Sequence, residues 1–117
     1  MTNWKYYVYL ADLFQDFYDI EDPNESDLKK VILEMCNRLI LLRNKIQGRE
    51  KDPNDFLKGL SGLSFIIDDL EFFDYELDYE EQIERFDEIM NDLYDFADDK
   101  YVWINTSDKS LDGIGKP

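Results

Sequence analysis

Histidine is absent from the 117 residues, and cysteine occurs once, at Cys36. Those absences exclude a Ser-His-Asp triad, a Cys-His pair, a His-containing zinc site and an internal disulfide. Positive charge is scarce as well: 13 Lys and Arg stand against 28 Asp and Glu, a formal net charge of −15. A phosphate backbone is excluded as the partner of such a chain. No stretch approaches the run of about 20 apolar residues that spans a bilayer. The opening residues, with Trp4, Lys5, Tyr6, Tyr7 and Tyr9, lack the layout of a secretory signal. These features place the protein in a reducing cytoplasm, with Cys36 as a packing residue.

What is present is apolar and aromatic. Hydrophobic residues make up 44% of the chain and aromatics 15%, more than a disordered acidic segment carries, so one folded domain is expected. Trp4, Tyr7, Val8, Ala11, Phe14 and Tyr18 recur at helical spacing and predict a first helix from roughly Asn3 to Ile20. Asp22-Pro23-Asn24-Glu25 reads as a cap, an N-terminal proline and a capping-box acid. The helix it opens has the apolar stripe Leu28, Val31, Ile32, Met35, Cys36, Leu39, Leu42 and Ile46, and is expected to stop at Gly48.

Asp52-Pro53-Asn54-Asp55 repeats that capping pattern and launches Phe56, Leu60, Leu63, Ile67 and Leu70. The echo is shared capping chemistry, because the residues that follow match only in apolar period. Asp78 with Glu81 caps a fourth helix, carrying Ile83, Phe86, Met90, Leu93 and Ala97 to about Asp98. Tyr101-Val102-Trp103-Ile104 is apolar but short, and suits a helix extension, a packing strap or an edge strand. The fold class is therefore all-α, a single-domain bundle of about four amphipathic helices over residues 1–104, with residues 105–117 as a flexible C-terminal tail.

Charge is spread unevenly. Residues 1–28 hold seven acids and one base, residues 29–58 four acids and eight bases, and residues 68–99 fifteen acids and one base, Arg85. The basic middle stretch is spread around and beyond a helix, as a solvated face would be. Within the acidic block, Asp68 to Glu81 has eight acids, no base and four aromatics, Phe72, Phe73, Tyr75 and Tyr79. Unit charges 4 Å apart repel by about 1 kcal/mol even in water, so such crowding costs stability unless a cation arrives. Acids near Asp78 also favour a helix N-terminus, which is the plain structural use of part of the run. The candidate partner-binding residues are Asp68, Asp69, Glu71, Asp74, Tyr75, Glu76, Asp78, Tyr79, Glu80, Glu81, Glu84, Asp87 and Glu88, with Tyr75 and Tyr79 as rigid anchors. Phe72 and Phe73 are expected in the core.

No cofactor or metal is expected. Asp74, Glu76, Asp78 and Glu80 alternate as calcium ligands do, but the glycine such a loop needs at its sixth position is missing. Four short helices close on their own core and leave little room for a substrate cleft, which argues against an enzyme.

A small, acidic, all-helical chain with Asp and Tyr interleaved at a helix junction resembles the bacterial immunity proteins that neutralise colicin-type and contact-dependent growth inhibition toxins. The run Asp74-Tyr75-Glu76-Leu77-Asp78-Tyr79 looks like their acidic, tyrosine-bearing recognition surface. The resemblance implies a cytoplasmic antitoxin without enzymatic activity, whose partner is the basic domain of a cognate toxin, a nuclease or tRNase above all, with no role for nucleic acid or membrane and room for a third protein. Two other readings stand beside it: a phage-encoded DNA mimic that inhibits a DNA-handling enzyme, and a helical adaptor without inhibitory action.

Overall fold

The aromatic opening of the chain runs as a strand. In the computed structural model, which describes residues 6–49, 53–100 and 102–105 (side chains of 49, 53–61 and 98–100 excepted), β1 spans Tyr6–Tyr9 and is followed by α1 (Ala11–Tyr18). α2 (Glu25–Arg49), α3 (Pro53–Glu71) and α4 (Tyr79–Lys100) follow, and β2 (Val102–Asn105) ends the described chain. The helical fold class holds, with four helices among the described residues. A short parallel ladder is added to it, pairing Tyr6 with Val102, Tyr7 with Trp103, Val8 with Ile104 and Tyr9 with Asn105.

The expected first helix from Asn3 is thus corrected: its described part starts as β1, and helix begins only at Ala11. Tyr6-Tyr7-Val8-Tyr9 consists of aromatic and β-branched side chains that fit a pleated, half-buried surface. Its burial alternates, with Tyr6 and Val8 inside and Tyr7 and Tyr9 outside, the period-2 pattern of a strand. Val102 and Ile104 supply the matching buried positions. The Leu10 N–H continues the ladder by donating to the Asn105 carbonyl at 2.8 Å. Asn105, expected in the tail, is therefore a buried strand residue, while the remaining tail positions lie outside the described residues.

The cap of α2 also differs from expectation. Asp22 sits at φ 54°, in the left-handed region that Asp tolerates better than most residues, and so does not take the helix-cap position. Asn24 caps instead: its side chain accepts from the Asp27 N–H at 3.1 Å, and Asp27 accepts from the Asn24 N–H at 3.0 Å, a reciprocal capping box. The stripe read from the sequence, Leu28 to Ile46, is buried throughout, although α2 runs through Gly48 to Arg49. Pro53 is the first residue of α3, while Asp52 and the side chains of Phe56 and Leu60 lie outside the described residues. Leu63, Ile67 and Leu70 meet the α2 stripe in one core with Phe86, Met90, Leu93 and Ala97 of α4. Cys36 is buried there, its Sγ donating to the Ile67 carbonyl at 3.8 Å. Burial, and after it the charge of Glu71, pushes the thiol pKa up, away from the reactive thiolate. Among the described residues no helix is long and apolar enough to cross a membrane.

Arg38 ties the N-terminal elements to α2. Its Nη1 donates to the Tyr9 carbonyl and to Asp12 Oδ1, both at 2.6 Å, and its Nη2 to Asp12 Oδ2 at 2.8 Å. This bidentate fork holds the Asp12 carboxyl below its ordinary pKa, the hydrogen bond from Arg38 outweighing the cost of burial. A depressed carboxyl stabilises the fold above its unfolded-state pKa and loses that contribution as pH falls through the folded-state value. Acid titration of urea-unfolding midpoints is therefore expected to show a component below about pH 4 that Asp12→Asn removes. With Asp12 nearly half exposed, it is worth no more than about 1 kcal/mol.

Candidate functional site

The turn from α3 into α4 is pinned from inside. Asp78 caps α4, its Oδ1 accepting from the Glu81 N–H at 2.9 Å, and Asp74 Oδ1 accepts from the Glu76 N–H at 3.0 Å. Behind them Gln82, fully buried, donates through Nε2 to the Leu77 carbonyl at 2.7 Å and the Tyr75 carbonyl at 3.2 Å. One side chain thus satisfies the inner backbone of a loop whose outer face is acidic, and holds Asp74 and Asp78 at the head of α4.

From that head a row of carboxylates runs down α4. At about 100° per residue, Glu81, Glu84, Glu88, Asp92 and Asp95 fall within one narrow stripe about 21 Å long, and all five are exposed. Arg85 lies in the same stripe and is already engaged, with Nη1 donating to Glu88 at 3.0 Å and Nη2 lying 3.4 Å from Asp69 across on α3. Among the described residues no ion pair reaches Asp74, Glu76, Glu81, Glu84, Asp92 or Asp95. The crowding acts on Glu81, whose pKa is pushed up, first by the charge of Asp78 and then by its hydrogen bond, with slight desolvation and the charges of Glu84 and Asp74 adding to it. Like charges nearby disfavour the ionised form of a carboxyl group.

An aromatic row accompanies the stripe. Phe65 is 69% exposed and Phe72 78%. They stand seven residues apart, two helical turns, with Asp69 between them on the same side of α3; the Phe72 N–H still donates to the Asp68 carbonyl at 2.9 Å, so the helical arrangement reaches it. Beside Phe65, a groove of about 490 Å³ opens between α3 and α4, lined by Gly62, Ile66, Asp69, Asp92, Asp95 and Phe96.

The thirteen residues expected to bind a partner do not form one surface. Asp74, Asp78, Glu81, Glu84 and Glu88 belong to the stripe and its head, and Asp69 faces it. Glu76 and Glu80 are exposed near the head. Asp68 and Glu71 act on the other side, where their charges reach Cys36 in α2. Asp87 faces α1, in a depression shared with Phe14, Tyr18 and Tyr94.

The two expected anchors are turned inward. Tyr75 packs against Phe73 at 5.2 Å between ring centroids and lies under the Lys29 ammonium at 5.0 Å, with its hydroxyl buried and without a hydrogen-bond partner among the described residues. Burial raises its pKa, as it does that of Tyr79, which adds the charge of Asp27 in α2. Both tyrosines are packed against the core because the α2 surface offers them apolar cover that solvent does not. Phe73 is buried as expected, whereas Phe72 is not.

Phe65, Asp92 and Asp95 were missed by sequence reasoning. The two acids carried a usable signal, since 81, 84, 88, 92 and 95 follow one another at steps of three or four residues, as one helix face does. Phe65 carried none, being one apolar residue among several in a helix whose buried face was already supplied. Among the described residues no group of three or more His, Cys, Asp or Glu side chains converges as metal ligands do. No family model, characterised protein or solved structure matches the chain.

Proposed function

We propose that the chain is an immunity protein that binds and neutralises the basic domain of a bacterial toxin, a nuclease in the first instance, and that the carboxylate stripe of α4 is the surface it uses. The reading is carried by one observation. Arg85, the one base between residues 68 and 99, is spent on Asp69 and Glu88, leaving a row of exposed acids crowded enough to raise Glu81. Such a row is relieved when a cationic surface covers it, and its field steers that surface in before contact. The adjacent Phe65 and Phe72 favour a protein partner over general mimicry of DNA, because DNA-binding clefts are built around phosphates, whereas exposed aromatics suit apolar pockets on a protein.

Two results test the proposal. The gene immediately upstream is expected to encode a basic toxin domain; co-expression of the chain with that domain is expected to restore growth, and the association rate of the purified pair to fall at least about tenfold when salt rises from about 50 to about 500 mM. Growth that stays arrested, or an association rate indifferent to salt, contradicts it.

A further inference from the structure

The groove between α3 and α4 combines features that the carboxylate stripe alone does not require. Its floor is apolar, with Ile66 and Phe96 nearly buried and Phe65 standing 69% exposed at its side. A glycine, Gly62, keeps one wall low: a Cβ there would meet only Phe96 Cδ2, at 3.6 Å. Among the described residues the polar lining is acidic, from Asp69, Asp92 and Asp95, and neither Asp92 nor Asp95 has an ion pair. An exposed phenylalanine in water gains nothing from its position, whereas covered by another apolar group it contributes binding energy in proportion to the area removed from solvent.

We propose that this groove seats one large apolar side chain of the partner, tryptophan or another aromatic above all, flanked by Lys or Arg that meet Asp69, Asp92 and Asp95. The inference rests on the cationic partner assigned above and specifies where its anchor enters. It moves the centre of the interface from the turn carrying Tyr75 and Tyr79, whose rings are committed to α2, to the middle of the α3–α4 face. Charge brings the partner to the stripe and the apolar floor of the groove holds it, so substitution of Phe65 acts on release and substitution of the acids on encounter. The acidic rim also selects against a second copy of this chain, whose own acids would face it.

The test uses the whole protein and two synthetic peptides, both rich in lysine, one with a single central tryptophan and one with alanine in its place. Titrations are followed by amide chemical shifts at low salt. The tryptophan peptide is expected to bind at least about tenfold more tightly, with the largest shifts at Gly62, Phe65, Ile66 and Asp92. Phe65→Ser abolishes that preference and leaves the alanine peptide unchanged; because the ring is exposed, the unfolding midpoint does not move. Equal binding of the two peptides, or shifts confined to Asp74–Glu84, overturns the groove while the anionic stripe stands. Failure of both peptides to bind overturns the stripe and the groove together. Concentration-dependent dimerisation that Phe65→Ser abolishes overturns the groove as well, by showing that a second copy fills it.

Discussion

Replacing Ile104 by alanine is expected to lower stability by about 2–5 kcal/mol, measured by urea unfolding. Ile104 is fully buried and sits opposite Val8 in the parallel ladder, on a strand that lies against α4. Truncating it removes apolar contacts on two sides and leaves a cavity, because neither the ladder nor α4 can close on the space without breaking its own register. The effect is large against a total of about 5–15 kcal/mol for a domain of ordinary stability. An exposed residue of the partner strand supplies the control: Tyr7→Ala, 66% exposed, is expected to cost less than about 1 kcal/mol. If β2 were a dispensable extension of the tail, Ile104→Ala would change stability by no more than about 0.5 kcal/mol.

That strand also shows where the sequence could be read and where it could not. Helical period identified α2 almost residue by residue, because a long two-sided element has one apolar stripe and its polar residues confirm the phase. It failed over Tyr6–Tyr9, where aromatic side chains every third or fourth position satisfy a helix as well as alternation satisfies a strand. The deciding contact, with Val102–Asn105, is nearly the whole chain away, and no local signal reports a partner that distant. A hint lay in two short β-prone runs, neither completing a helix of its own.

The acidic site was legible in amount and not in orientation. Counting charges located it between residues 68 and 99, and the Asp78 cap fixed the start of α4. What counting could not assign was the side of each helix. Asp87 and Glu88 are neighbours in sequence, yet one faces α1 and the other pairs with Arg85 towards α3. Tyr75 and Tyr79 looked like anchors because they stand among acids, but both rings pack against the core, Tyr75 beneath Lys29 of α2. Exposed aromatics were available instead on α3, where Phe65 and Phe72 keep company with Asp69.

The second large effect concerns the stripe itself. Glu81, Glu84 and Asp92 are exposed and lack ion pairs among the described residues, so changing all three to Lys breaks no ion pair. Loss of the Glu81 acid from the first turn of α4 and relief of repulsion within the stripe oppose one another, and the variant is expected to unfold within about 1 kcal/mol of the parent. Association with the cationic partner proposed above, by contrast, is expected to meet a reversed field at the stripe, and repulsion between like charges acts before any contact forms. Asp16→Lys, Glu21→Lys and Glu25→Lys together change the net charge by the same amount at exposed positions far from the stripe in sequence, and separate a local surface from a general effect of charge.

Association rates of the parent and these two triple variants with the basic toxin domain proposed as partner, measured by stopped flow at low salt, decide the matter. The stripe variant is expected to associate about 100-fold more slowly and the control within about threefold of the parent. Equal slowing of the two variants, or none in the stripe variant, would contradict a docking surface on α4.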